Sequence, residues 1–92
     1  MIAVDTNILV AFKRLEYAEH ARAVEVITGL AEGTAWWALP WPCLHEFFAV
    51  VTHPRIFKTP TQPAHALAAV SALLESPSVR LLTEGPAHWE RL

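Results

Sequence analysis

An α/β fold built on a parallel sheet is the class this sequence predicts, and three observations predict it. Apolar runs of strand length recur at about 1–5, 35–39 and 79–82, and pairs of helical patterns separate them, giving strand–helix–helix–strand–helix–helix–strand. Ile2, Ala3 and Val4 run without alternation, as a strand covered on both faces would. That first run stops at Asp5, which sets a carboxylate at the carboxyl end of a strand, where open α/β sheets keep their ligand crevice. A three-layer arrangement follows, with three parallel strands, helices on both faces of the sheet and right-handed crossovers.

Size and composition narrow the field. The 92 residues make one domain, 1–92. Hydrophobic residues are 53% of the chain, only 17% is charged and the mean hydropathy is +0.29. That excludes disorder and is a heavy apolar load for so small a body, so surface is expected to be buried against a partner or against residues the chain lacks. Seven Lys and Arg against nine Asp and Glu give a formal charge of −2, without the basic signature of a general nucleic-acid binder. An acidic site that works through a metal ion needs no such signature, because the ion supplies the local positive charge. Cys43 is the one cysteine, which rules out an internal disulfide and fits a reducing compartment. No signal peptide or membrane-length apolar run is apparent, so a soluble cytoplasmic protein is expected.

The elements follow in order. Thr6 and Asn7 are short polar residues suited to capping a helix in which Ile8, Leu9, Phe12 and Leu15 recur, with Lys13, Arg14 and Glu16 opposite. A second helix is expected from about Ala18 to Ala31, with Ala23, Val24, Ile27, Leu30 and Ala31 inward and Glu19, Arg22 and Glu25 in water. His20 reads as a solvated surface residue on it, and Gly33 as the residue that ends it. The aromatic run 35–39 is the second strand, ended by Pro40-Trp41-Pro42. The next helix is expected from about Cys43 to His53, apolar nearly all round through Leu44, Phe47, Phe48, Ala49, Val50 and Val51, and closed by Pro54. Thr59-Pro60-Thr61-Gln62-Pro63 makes a rigid linker to a helix over about 64–75, with Ala66, Leu67, Val70, Leu73 and Leu74 inward. After Ser76-Pro77-Ser78 comes the third strand. Thr83 or Glu84 opens a further helix with Trp89 and Leu92 on one side, and a helix that barely starts leads one to expect a missing C-terminal part.

Two carboxylates carry the chemistry. Asp5 reads as a helix cap or as a metal ligand, and one carboxylate alone leaves both readings open. Glu46 is the single acid of a helix that is otherwise almost wholly apolar, read either as a dipole-favoured residue near the helix start or as the second ligand. If strands one and two are neighbours, both acids reach one crevice, and hard oxygen donors of this kind suit Mg²⁺ or Mn²⁺. Such an ion activates water and offsets charge on a phosphodiester. His45 and His53 lack the spacing of a zinc pair and read as helix-surface residues. Arg55 and Lys58 lie in a basic, aromatic-containing connection and are candidates for contact with a phosphate backbone, or simply solvated.

The motifs Val4-Asp5-Thr6-Asn7-Ile8-Leu9, Leu44-His45-Glu46-Phe47 and Val51-Thr52-His53-Pro54-Arg55 resemble those of PIN-domain endoribonucleases of the VapC toxin type. The resemblance runs through essentially the whole chain. It implies a Mg²⁺- or Mn²⁺-dependent endonuclease of single-stranded RNA, a VapB-type antitoxin as partner, and a homodimer. Carried over by motif, Asp5 matches the first acidic ligand and Glu46 the second, with Thr6 or Asn7 positioning the first carboxylate and its waters. The family pattern also needs a third and often a fourth acid beyond the third strand, and Glu75, Glu84 and Glu90 do not match them. The resemblance therefore covers the N-terminal two-thirds of such a domain, with the first strand left at a bare apolar edge and an incomplete active site. Little or no cleavage by these 92 residues alone is the expectation. A non-catalytic remnant or module that binds an antitoxin or another toxin protomer is the alternative. A phosphatase or receiver domain fits less well, because Asn7 stands where the phosphatase pattern has a second aspartate.

Overall fold

A computed structural model describes residues 2–82. The helix expected from Thr83 or Glu84, and with it Glu84, Trp89, Glu90 and Leu92, lies outside the described residues. The element order is β1 (Ile2–Ala3), α1 (Thr6–Lys13), α2 (His20–Glu32), β2 (Trp37–Pro40), α3 (Trp41–Val51), α4 (Pro63–Leu74) and β3 (Val79–Leu82). The three strands form one parallel sheet in the order β1-β2-β3, each crossover carrying two helices, which is the α/β architecture the pattern predicts.

Register explains the core. Ile2 lies opposite Trp37, and Trp37 opposite Val79, so these three share a face, and Leu39 follows two residues along β2. Trp37 and Leu39 are fully buried there, in one cluster with Val4, Leu9, Ile27, Leu44, Phe47 and Val51. Ala3, Ala38 and Arg80 register on the other face. There the Arg80 guanidinium lies 3.1 Å from the centroid of the Trp36 ring.

The opening run is not buried on both faces. Val4 is buried, but Ile2 is 61% exposed and Ala3 is exposed too, because β1 pairs only with β2 among the described strands. The second strand starts at Trp37 rather than Ala35, leaving Trp36 about half exposed. Helix α3 begins directly at Trp41, without a loop after β2, with Pro42 in its first turn, where a missing N–H costs nothing. Nor is α3 apolar-covered all round. Leu44, Phe47 and Val51 are buried, whereas Trp41, Pro42, His45, Glu46 and Ala49 form an exposed side. In α4, Ala66 and Leu73 are buried, while Leu67 and Leu74, expected inward, point outward. The helix is apolar on every side, so periodicity alone did not select the buried stripe.

Polar groups set where helices stop. Helix α1 ends at Lys13, not Leu15, which is 80% exposed. Arg14 turns away in an extended conformation and ties the α1–α2 connection to the α3–α4 connection. Its Nη1 donates to the Thr59 carbonyl (2.8 Å) and Thr61 Oγ1 (3.2 Å), its Nε and Nη2 donate to Glu16, and its guanidinium lies 4.0 Å from the Phe57 ring centroid. Gly33 closes α2 with a negative φ, so a left-handed cap is not its role. Instead a Cβ at Gly33 would lie 2.9 Å from the Gly29 carbonyl oxygen, too close for any side chain. The Ser76-Pro77-Ser78 break is a clamp. Ser76 Oγ donates to Ala31 O and Ser78 Oγ to Leu30 O, satisfying carbonyls at the end of α2, while the Trp37 indole N–H donates to Ser76 Oγ.

Candidate metal centre

Asp5 follows β1 and is the N-cap of α1, with its Oδ1 accepting the Ile8 amide hydrogen at 3.1 Å. Thr6 and Asn7, expected as caps, are the first two residues of the helix itself. The capping reading is thus correct, and it uses one oxygen. Among the described residues no other hydrogen bond reaches this exposed carboxylate, so Oδ2 is available to a ligand.

Glu46 comes to the same place from α3. Because α3 starts at Trp41, Glu46 belongs to the second turn, beyond the reach of the favourable dipole of the helix start. It is exposed between the buried Leu44 and Phe47, on the open side of the helix. Parallel pairing of β1 with β2 sets both following helices at the carboxyl edge of the sheet. Asp5, Thr6, Asn7 and Glu46 line one cavity of about 530 Å³. Glu46 also borders a second hollow, of about 440 Å³, with Trp41, Pro42, His45 and Ala49.

The cavity holds two groups that periodicity assigned only to solvent, Glu19 and Arg22, and one that the sequence did not single out, Tyr17. Tyr17, from the α1–α2 connection, and Glu19 and Arg22, at the start of α2, line it as well. A helical pattern can say that Glu19 and Arg22 avoid the core, but not that they line the same cavity as Asp5. His20 is not a free surface residue either. Its Nδ1 donates to the Ala11 carbonyl at 2.8 Å and pins the start of α2 onto α1. Arg55 and Lys58 are exposed on the α3–α4 connection and do not line the cavity.

Charge and donor chemistry fit a hard divalent cation in part. The charged lining is Asp5, Glu19, Glu46 and Arg22, three carboxylates against one guanidinium. Asp5 and Glu46 supply oxygen donors of the kind Mg²⁺ and Mn²⁺ take, one or two carboxylates commonly sufficing beside water and substrate oxygens. Among the described residues no three His, Cys, Asp or Glu side chains gather closely enough to hold an ion, so Glu19 does not complete a third ligand.

The fold and site define an α/β chain that brings an N-terminal aspartate and a glutamate from the helix after the second strand to one cavity, and sequence comparison adds what this chain is similar to. The chain is a relative of the VapC ribonucleases along almost its whole length. It is 39% identical over 89 residues to a VapC ribonuclease of Mycobacterium bovis, Mb2897, and equally to ribonuclease VapC43 of Mycobacterium tuberculosis, the match covering 97% of this chain and 60% of each relative. It is 33% identical over 88 residues to ribonuclease VapC33 of Mycobacterium tuberculosis, covering 96% of this chain and 62% of that protein. No family model matches the chain. The chain thus spans about 60% of the length of these relatives.

Proposed function

We propose that this chain carries part of the active site of a toxin ribonuclease that cleaves single-stranded RNA with Mg²⁺ or Mn²⁺, in a toxin–antitoxin system with a VapB-type partner. The observation that carries this reading is that Asp5 and Glu46, from separate elements, open into one cavity, in a chain related to ribonucleases. Asp5 would hold the ion through Oδ2 while Oδ1 stays on the Ile8 amide, and Glu46 would hold it from α3. When bound, the ion supplies an acidified water and offsets charge on the phosphodiester. Thr6 and Asn7 offer a hydroxyl and an amide at the cavity wall for orienting water beside Asp5. Two carboxylates hold such an ion weakly, so cleavage by these 92 residues alone is expected to be slight. Exposed apolar side chains, among them Leu15, Trp41, Ile56 and Leu67, support burial against an antitoxin or a second toxin protomer. Among the described residues no helix is long and apolar enough to cross a membrane.

Metal binding tests the reading without relying on turnover. Titration of the chain with Mn²⁺, followed by the paramagnetic resonance of the free ion, should show one weak site that Asp5→Asn and Glu46→Gln each abolish. RNA cleavage, where seen, should disappear with the same substitutions and with EDTA. Binding that survives both substitutions sinks the metal-site assignment and favours the interaction-module reading, in which antitoxin capture is indifferent to these two acids.

A further inference from the structure

We infer that Arg22 is the phosphate-contacting residue of this cavity, gripping a backbone phosphate of the RNA beside the bond to be cut; the inference rests on the ribonuclease reading. Three carboxylates line the cavity, and a polyanion entering it is repelled wherever a bound cation does not offset them. A metal at Asp5 and Glu46 acts at one phosphate, and its neighbours in the strand need a further cation. Arg22 is the cation on the cavity wall. Among the described residues the ion pair present is Arg14–Glu16, so Arg22 is not taken up by Asp5, Glu19 or Glu46.

The other described cations are elsewhere or already engaged. Arg14 is held by Glu16, Thr59 and Thr61, and Arg80 lies over Trp36 and donates to the Val79 carbonyl. Lys13, Arg55 and Lys58 do not line the cavity. Arg22 is also well placed to act. The His20 bond to Ala11 O and the buried Ala23 fix the first turn of α2 on α1, the helix that Asp5 opens, so the backbone positions that carry Arg22 and Asp5 keep a constant relation while the exposed guanidinium stays free to reach a ligand. A guanidinium presents a planar fork that matches two phosphate oxygens, and its charge does not titrate.

The experiment measures binding of a fluorescein-labelled single-stranded oligoribonucleotide by anisotropy over a series of salt concentrations. It uses the full chain carrying Asp5→Asn, so that the RNA stays intact, with and without Arg22→Gln or Arg22→Lys. Arg22→Gln should weaken binding about tenfold and flatten the dependence of log affinity on log salt by about 0.7, the loss of one phosphate contact. Arg22→Lys should keep the slope and recover part of the affinity. Equal affinity and slope with and without Arg22→Gln overturns the inference alone, as does a result in which Arg22→Gln only tightens Mn²⁺ binding of the chain with native Asp5. If the chain binds no RNA at any salt, the inference and the ribonuclease reading fall together.

Discussion

Helix α1 has a charged residue at each end, and the two are spent differently. At its C-terminal end Arg14 is heavily engaged, with bonds to Glu16, Thr59 and Thr61, a ring beneath it, and a side chain only 13% exposed. At its N-terminal end Asp5 makes one bond, to the Ile8 amide, and turns the rest of its carboxylate to an open cavity. A polar group whose bonds within the chain use most of its donors is building the fold. One that keeps an oxygen free at the edge of a sheet is available for chemistry. At Asp5 the cap and the proposed ligand role do not compete, since the cap uses Oδ1 and leaves Oδ2 for the proposed ion.

The largest expected effect is at the heavily bonded end. Arg14→Ala removes two bonds to the α3–α4 connection and the contact with Phe57, and leaves a carbonyl and a hydroxyl to find water. A loss of about 2–4 kcal/mol is expected, from charged hydrogen bonds and a partly buried cation–π contact. Urea unfolding monitored by tryptophan fluorescence would measure it, and a loss under about 0.5 kcal/mol would show that Arg14 merely decorates the connection. The bond to Glu16 adds little, because that partner is half exposed.

A smaller stability change is expected at Asp5, and it separates the two uses of the carboxylate. Asp5→Ala loses the cap and should cost about 1 kcal/mol, whereas Asp5→Asn keeps an oxygen for the Ile8 amide and should cost about a few tenths of a kcal/mol at most. Both should abolish Mn²⁺ binding. An Asp5→Asn chain as unstable as Asp5→Ala would mean that the carboxylate is structural at both oxygens. The smallest effect is at Glu16, whose carboxyl is held below the ordinary glutamate range, first by the hydrogen bond from Arg14 and then by its own backbone amide. A depressed folded value means that the stabilisation is present above the unfolded pKa and fades as pH falls through the folded one. Comparing native and Glu16→Gln chains by thermal melting, the difference should shrink on acidification in that window. A difference that grows with acid contradicts the assignment.

Much of the fold was legible in particular stretches of sequence. Three apolar strand runs were readable as short stretches bounded by turn or polar residues, and four helical patterns because burial imposes a period of 3.6 on the chain itself. Boundaries moved where tertiary contacts outbid the pattern. Leu15 left its helix because Arg14 is drawn to the α3–α4 connection, and Trp41 joined α3 because β2 runs straight into it. For the candidate site, Asp5 and Glu46 stood out since each is a lone acid beside apolar residues. Arg22 and Glu19 did not, as a polar residue at the solvent side of an amphipathic helix looks the same whether it faces bulk water or a cavity, and Tyr17 did not because it lies in a connection without a period.

By itself, then, the sequence determined the α/β class, the parallel order of elements, the kinship with VapC ribonucleases and the two carboxylates, because these depend on periodicity and on residues near in the chain. Only the tertiary structure decided that Asp5 keeps an oxygen free, that Glu46 stands on an open side of α3, and that Arg22 shares their cavity. Those facts depend on how α1, α2 and α3 settle at one edge of the sheet. The choice is made by groups distant in sequence, the His20–Ala11 bond, the Arg14 ties to Thr59 and Thr61 and the pairing of β1 with β2 among them. The opening strand owes its exposed Ile2 to the same cause, since what covers a strand is set by its neighbours in space and not by its own residues.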